Sequence, residues 1–322
     1  MVLTNRERRF SLYAWFTLAA NLLVILWGAY VRATGSGAGC GGHWPLCNGV
    51  VLPRAPEVET VIEFTHRLSS GLVLILVLGL FLAARRTYPK GSRIRASSSA
   101  ALVFMVLEAL LGAGLVLFEL VAGNTSVTRA AAGALHLTNT FFLLATLSLT
   151  ASWSSWPIVG PRGNPSLARV ILIGLGMVGV LLIGVTGAIA ALGDTLFPST
   201  SLLVGFQADL DPGANYLLRL RGLHPLIAIG IGLYLIVILR ILRSREQSFS
   251  VLSAGLLGLV LLQLTAGAIN VILLAPLWLQ IIHLLLADGL WIGLVVYFDR
   301  IVHTEPAVET SAEQGVLPSM PH

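Results

Sequence analysis

Val61–Ser70 reads VIEFTHRLSS, and the rest of the chain can be placed relative to it. It lies where a polar loop gives way to a long apolar run. Glu63 and His66 are three residues apart and share a helix face; Glu63 and Arg67 are four apart. A carboxylate and an imidazole on one face at a membrane boundary are costly unless paired or used. Two plain readings stand beside a functional one. Glu63 and Arg67 are in the favourable order for an exposed ion pair, and His66 alone fits a hydrogen-bonded structural histidine.

The chain around this stretch is 56% hydrophobic and 11% charged over 322 residues, against about 25% charged for a soluble domain. Apolar runs of about 20 residues recur from end to end. They predict an all-α integral membrane protein with eight transmembrane helices, at about 11–31, 60–84, 97–118, 130–152, 167–192, 217–242, 249–273 and 277–301. The first run follows Arg6, Arg8 and Arg9 but exceeds the roughly 7–15 residues of a signal-peptide core, so it reads as a retained span. The last two spans meet at a tight turn around Pro276, and the tail 303–322 reads as disordered. The net charge of +5 does not indicate nucleic acid: Lys90 is the single lysine, and the arginines cluster at helix ends, where topology and lipid headgroups account for them.

Fourteen basic residues fall on one side of this topology: Arg6, Arg8, Arg9, Arg85, Arg86, Lys90, Arg93, Arg95, Arg162, Arg169, Arg240, Arg243, Arg245 and Arg300. Six fall on the other: Arg32, Arg54, Arg67, Arg129, Arg219 and Arg221. The positive-inside rule then predicts a cell-membrane protein with both termini cytoplasmic. The halves resemble each other. EFTHRLSSG in the second span matches RGLHPLIAIG in the sixth, EALLGAG in the third matches QLTAGA in the seventh, and ALHLTNTFF in the fourth matches IIHLLLADG in the eighth. Thr34-Gly35 at the end of the first span is aligned with Thr186-Gly187 in the fifth. An even number of spans per half predicts two parallel four-helix-bundle repeats. The domains are expected at 11–153 and 167–302, after a cytoplasmic segment 1–10, with a linker 154–166.

Four of the seven histidines, His66, His136, His224 and His283, lie about six residues into the even spans, all at similar depth and two per repeat. Two imidazoles facing across a four-helix bundle with apolar walls can hold a b-type haem. Zinc fits less well, because each pair gives two ligands and nothing completes a tetrahedron in the second half. Arg32, Arg67, Arg129, Arg219 and Arg221 lie at the outer helix ends, where carboxylate groups of an upright haem would meet them; lipid headgroups are the other reading. The repeats differ at one place. Glu63, three before His66, corresponds to Arg221, three before His224, so the first site has an acid and the second a cation. The loop Thr34–Gly49, TGSGAGCGGHWPLCNG, carries the two cysteines, Cys40 and Cys47, in a compartment that permits a disulfide, structural or redox-active. It lacks the Cys-x-x-Cys-His of c-type haem, and His43 adds only a weak metal-site signal. Glu108 and Asp288 receive no role.

TGSGAGC…WPLC, EFTHR, ALHL, RGLHP and IIHL together resemble the heme A synthase family, across all eight spans and with the paired loop cysteines of bacterial members. The resemblance implies oxidation of a ring methyl of haem O to a formyl group for cytochrome oxidase, in successive steps with water-derived oxygen. It implies a haem b cofactor on His224 and His283, and haem O as substrate near His66 and His136. Glu63 matches the essential acid, and a loop disulfide joins Cys40 and Cys47. A haem O synthase is expected upstream, with membrane lipid and an unidentified electron acceptor as further partners. A di-haem, quinone-linked electron carrier fits the histidines equally but Glu63 less well. A transporter is the third class.

Overall fold

The computed structural model describes residues 3–156, 167–245 and 250–303. Most of the expected linker 154–166, and the expected disordered tail beyond His303, lie outside the described residues. Among the described residues, eight helices are long and apolar enough to cross a membrane: Asn5–Ala33, Val58–Thr87, Arg93–Leu117, Val127–Ser155, Leu167–Leu196, Tyr216–Leu242, Val251–Ile272 and Leu277–Val302. Each matches one predicted span, so the fold is all-α and multi-pass.

Helix ends run past the predicted limits where caps extend them. Helix α1 (Asn5–Ala33) starts at a capping box, in which the Thr4 hydroxyl accepts from Glu7 N–H and the Glu7 carboxylate accepts from Thr4 N–H. The next helices are α2 (Val58–Thr87), α3 (Arg93–Leu117) and α4 (Val127–Ser155); Ser92 and Ser126 cap α3 and α4. After α5 (Leu167–Leu196) comes a nine-residue helix not foreseen from the sequence, α6 (Leu202–Leu210), capped by Ser201. The predicted sixth span is broken into α7 (Tyr216–Arg221) and α8 (Leu223–Arg245). Pro225 has no N–H to give the Arg221 carbonyl, so the helix restarts at Leu223 with the proline in its first turn. Helices α9 (Ser250–Ile272) and α10 (Leu277–His303) complete the chain. Between them Leu274 and Ala275 adopt left-handed backbone, and the Gln280 side chain donates to the Ala275 carbonyl.

Helices α1, α4, α5 and α10 contact one another and form the centre; α2 and α3 flank one side, α8 and α9 the other. The centre is closed by aromatic packing. Phe141 of α4 stacks on Trp291 of α10 at 5.3 Å, and the Trp291 indole donates to the Phe141 carbonyl at 2.6 Å. Gly184 of α5 leaves room for this ring: a β-carbon there would stand 2.6 Å from Phe141 Cε2. Trp153 of α4 donates to Asp299 of α10 at 2.8 Å. Leucines and isoleucines such as Leu72, Ile75, Leu110, Leu226 and Leu261 are exposed along the flanking helices, as a lipid-facing surface requires.

Candidate functional site

Each of the four span histidines rests on a glycine of the preceding odd span, through the same ring atom. A β-carbon on Gly28 would stand 2.9 Å from His66 Cε1, and one on Gly187 3.0 Å from His224 Cε1. On Gly267 it would stand 3.1 Å from His283 Cε1, and on Gly112 3.8 Å from His136 Cε1. In every case the glycine is followed by alanine: Gly28-Ala29, Gly112-Ala113, Gly187-Ala188, Gly267-Ala268. This contact pairs Gly187 with Gly28, two turns earlier in the first span than the Gly35 that sequence alignment suggested. The four Gly-Ala pairs were the signal that reading missed.

His66 lies within electrostatic reach of His136, and His224 of His283. The Nδ1 atoms of His66, His136 and His283 are buried with no hydrogen-bond partner among the described residues. His224 Nδ1 lies 3.2 Å from the Thr186 hydroxyl, and His283 Nε2 lies 3.3 Å from Gln263 Nε2. No group of three or more His, Cys, Asp and Glu side chains converges among the described residues. Paired imidazoles with unspent ring nitrogens, set on glycines that keep side chains out of the way, fit haem iron with two axial ligands.

Glu63 is 3% exposed, so its pair with Arg67 is buried, unlike the exposed pair that was one plain reading of the sequence. Its Oε2 accepts from the Cys40 N–H at 2.8 Å. Its Oε1 accepts from Arg67 Nε at 3.1 Å and from Arg67 Nη2 at 2.5 Å. The remaining Arg67 nitrogen donates to the His43 and Leu46 carbonyls, both at 2.6 Å. Arg67 therefore ties the acid to the loop that Cys40 begins. That loop is closed by a Cys40–Cys47 disulfide. Both cysteines are buried, so an external thiol would reach the bond only after the loop opens. The loop is seated on α2 at Gly39: the Thr60 hydroxyl donates to the Gly39 carbonyl at 2.7 Å, and a β-carbon on Gly39 would stand 2.4 Å from the Glu59 carbonyl.

The five candidate arginines are differently engaged. Arg32 of α1 donates to the Ala191 carbonyl at 2.7 Å and the Thr195 hydroxyl at 2.9 Å, both on α5. It also donates to Gln280 of α10 at 3.1 Å, so it ties the two halves together. Arg129 donates to the Ala122 and Asn124 carbonyls and closes the loop before α4. Arg221 is held by Asp209 at 2.7 Å and Asp194 at 3.1 Å. The second half thus has carboxylates near its outer loop after all, but both are spent on Arg221. Arg219 is exposed, and no side-chain partner is found for it among the described residues.

A sequence profile described as COX15-CtaA, cytochrome oxidase assembly protein, matches residues 11–295. The chain belongs to this family. It is 51% identical over 289 residues to a protein named protoheme IX farnesyltransferase from Thermus thermophilus, covering 88% of this chain and 47% of that protein. It is 42% identical over 112 residues to a heme A synthase of Alkalihalophilus pseudofirmus, covering 35% of this chain and 38% of that protein. To a heme A synthase of Shouchella clausii it is 47% identical over 100 residues, 30% of this chain and 32% of that protein. The chain therefore spans between a third and a half of the length of these curated relatives.

Within this family member, the two acids that the sequence reading left without a role differ. Asp288 is fully buried on α10, and neither oxygen has a partner among the described residues. Glu108 stands beside a histidine, with Oε1 3.6 Å from His136 Nδ1.

Proposed function

We propose that this chain is a heme A synthase, oxidising a ring methyl of haem O to a formyl group by successive oxidations with water-derived oxygen, the electrons passing to an external acceptor. The observation that carries the proposal is Glu63, a buried acid locked by the Cys40 N–H and Arg67 three residues from a cradled histidine, with Arg221 at the corresponding place in the other half. Haem O is the substrate of the first half, 11–153, with His66 and His136 as axial ligands. The second half, 167–302, holds haem b between His224 and His283. That group supplies an electron relay when bound. The protein's own residues orient the imidazoles and fix the acid.

Glu63 is placed to take the proton leaving the methyl group, to stabilise developing positive charge on it, or to orient water. Arg219, exposed with open donors, is the best-placed propionate anchor among the five arginines; Arg32, Arg129 and Arg221 serve mainly to hold loops and halves together. Clustered basic residues support a cell-membrane protein with both termini cytoplasmic. A haem O synthase is the upstream partner. A di-haem electron carrier accounts for the histidines but leaves the locked acid without a task.

The test uses cells that make haem O, with and without this chain. Extracted haems separated by chromatography should contain haem A only when the chain is present. Absence of both haem A and a hydroxylated intermediate would favour the electron carrier.

A further inference from the structure

Glu108 and Gln263 occupy matching places. Each lies four residues before the glycine of its Gly-Ala pair, Gly112 or Gly267, and each approaches the histidine of the following span, but at different ring nitrogens: Glu108 at Nδ1 of His136, Gln263 at Nε2 of His283. Their surroundings differ. Around Glu108 the first half supplies donors: Asn139 Nδ2 and the Thr140 hydroxyl each lie 2.5 Å from the carboxylate. Asn139 and Thr140 follow His136 by three and four residues, so ligand and donors share one turn of α4. The positions three and four after His283 are Leu286 and Ala287, which donate nothing from their side chains. Gln263 there offers a neutral amide to His283 at 3.3 Å.

From this contrast we infer that Glu108 is a positioning residue for His136. It takes the Nδ1–H side of the ring, turns Nε2 to the iron of the substrate haem, and makes that nitrogen a stronger donor. A carboxylate on the far side of a ligating imidazole raises its basicity, and hydrogen bonding behind an axial ligand is one of the protein's levers on haem potential. The 3.6 Å separation is an ion-pair distance just beyond hydrogen-bond length. His283 has no such support: its Nδ1 is buried with no hydrogen-bond partner among the described residues, and Gln263 meets the ring at Nε2. Iron in the first half is therefore held further toward the ferric state than iron in the second. The inference rests on the two-haem reading above.

The test uses the purified full chain and added protohaem as probe. In a His224→Ala background, where only the first site remains complete, Glu108→Gln should still bind protohaem. At fixed potential its ferric-to-ferrous ratio should fall about tenfold, about 59 mV for a one-electron couple. In the same background Glu108→Asp, whose shorter side chain draws the carboxylate back from the ring, should lower that ratio in the same direction, which keeps the test decisive if Glu108→Gln fails to fold. Loss of the Asn139 and Thr140 bonds alone would lower thermal stability without moving either ratio. Unchanged ratios in chains that bind protohaem would overturn the assignment. If the His224→Ala chain binds no protohaem in a His136-dependent way, the haem reading of the first half fails, and this inference with it.

Discussion

The backbone N–H of Cys40 bonds Glu63 Oε2 at 2.8 Å, so the disulfide-closed loop and the buried acid form one unit. Arg67 completes it, with its guanidinium shared between Glu63 and the carbonyls of His43 and Leu46. The seat of this unit is Gly39, where no side chain fits against the Glu59 carbonyl. Gly39→Ala should lift the loop off α2 and cut haem A formation at least tenfold. Non-reducing mass analysis should find the disulfide still formed and the haem spectrum intact. Unchanged turnover would separate the loop from the acid.

Replacing both Cys40 and Cys47 with serine frees the loop without adding bulk. We expect a several-fold loss of product and faster amide exchange across 36–50. The buried cysteines also predict that the folded protein resists mild reductant, scored by thiol labelling before and after denaturation.

The glycine cradles make a steric prediction. Gly187→Val or Gly267→Val should drive His224 or His283 off its position and abolish the resident b-type absorption. Gly230→Ala on the same half, where an added β-carbon meets nothing within 4 Å, should leave the spectrum unchanged. Haem retained in both valine variants would rule out the cradle.

Two arginines that read alike in the sequence should fail differently. Arg32→Gln breaks bonds from α1 to Ala191, Thr195 and Gln280. It should cost about 1–3 kcal/mol of stability through acceptors left unpaired, measured by thermal unfolding in detergent. Arg219→Gln should spare stability and weaken haem retention about tenfold, the scale of one charge-assisted bond.

The eight spans were legible because run length and apolarity decide a membrane helix. The break at Gly222 was also latent, since Pro225 cannot donate to Arg221. Helix α6 was not legible: nine residues inside a polar loop carry too little periodicity to stand out. The four span histidines were readable from their recurrence, and the glycines beneath them were readable from the four Gly-Ala pairs, but only once the contacts fixed the register at Gly28. The partners of Arg32 and Arg221 were not, because helix packing brings them from other elements, up to about 250 residues away in sequence for Arg32 and Gln280. The bond from Cys40 to Glu63 was not legible either: the loop precedes the acid by some 20 residues and acts through a backbone N–H, which carries no sequence signature.

The central claim is that chemistry takes place at Glu63 in the first half. Its most direct test is the haem content of membranes bearing the parent chain or Glu63→Gln in cells that make haem O. The parent should yield haem A, while Glu63→Gln should keep the same b-type spectrum and yield none. Haem A at the parental level from Glu63→Gln would contradict it.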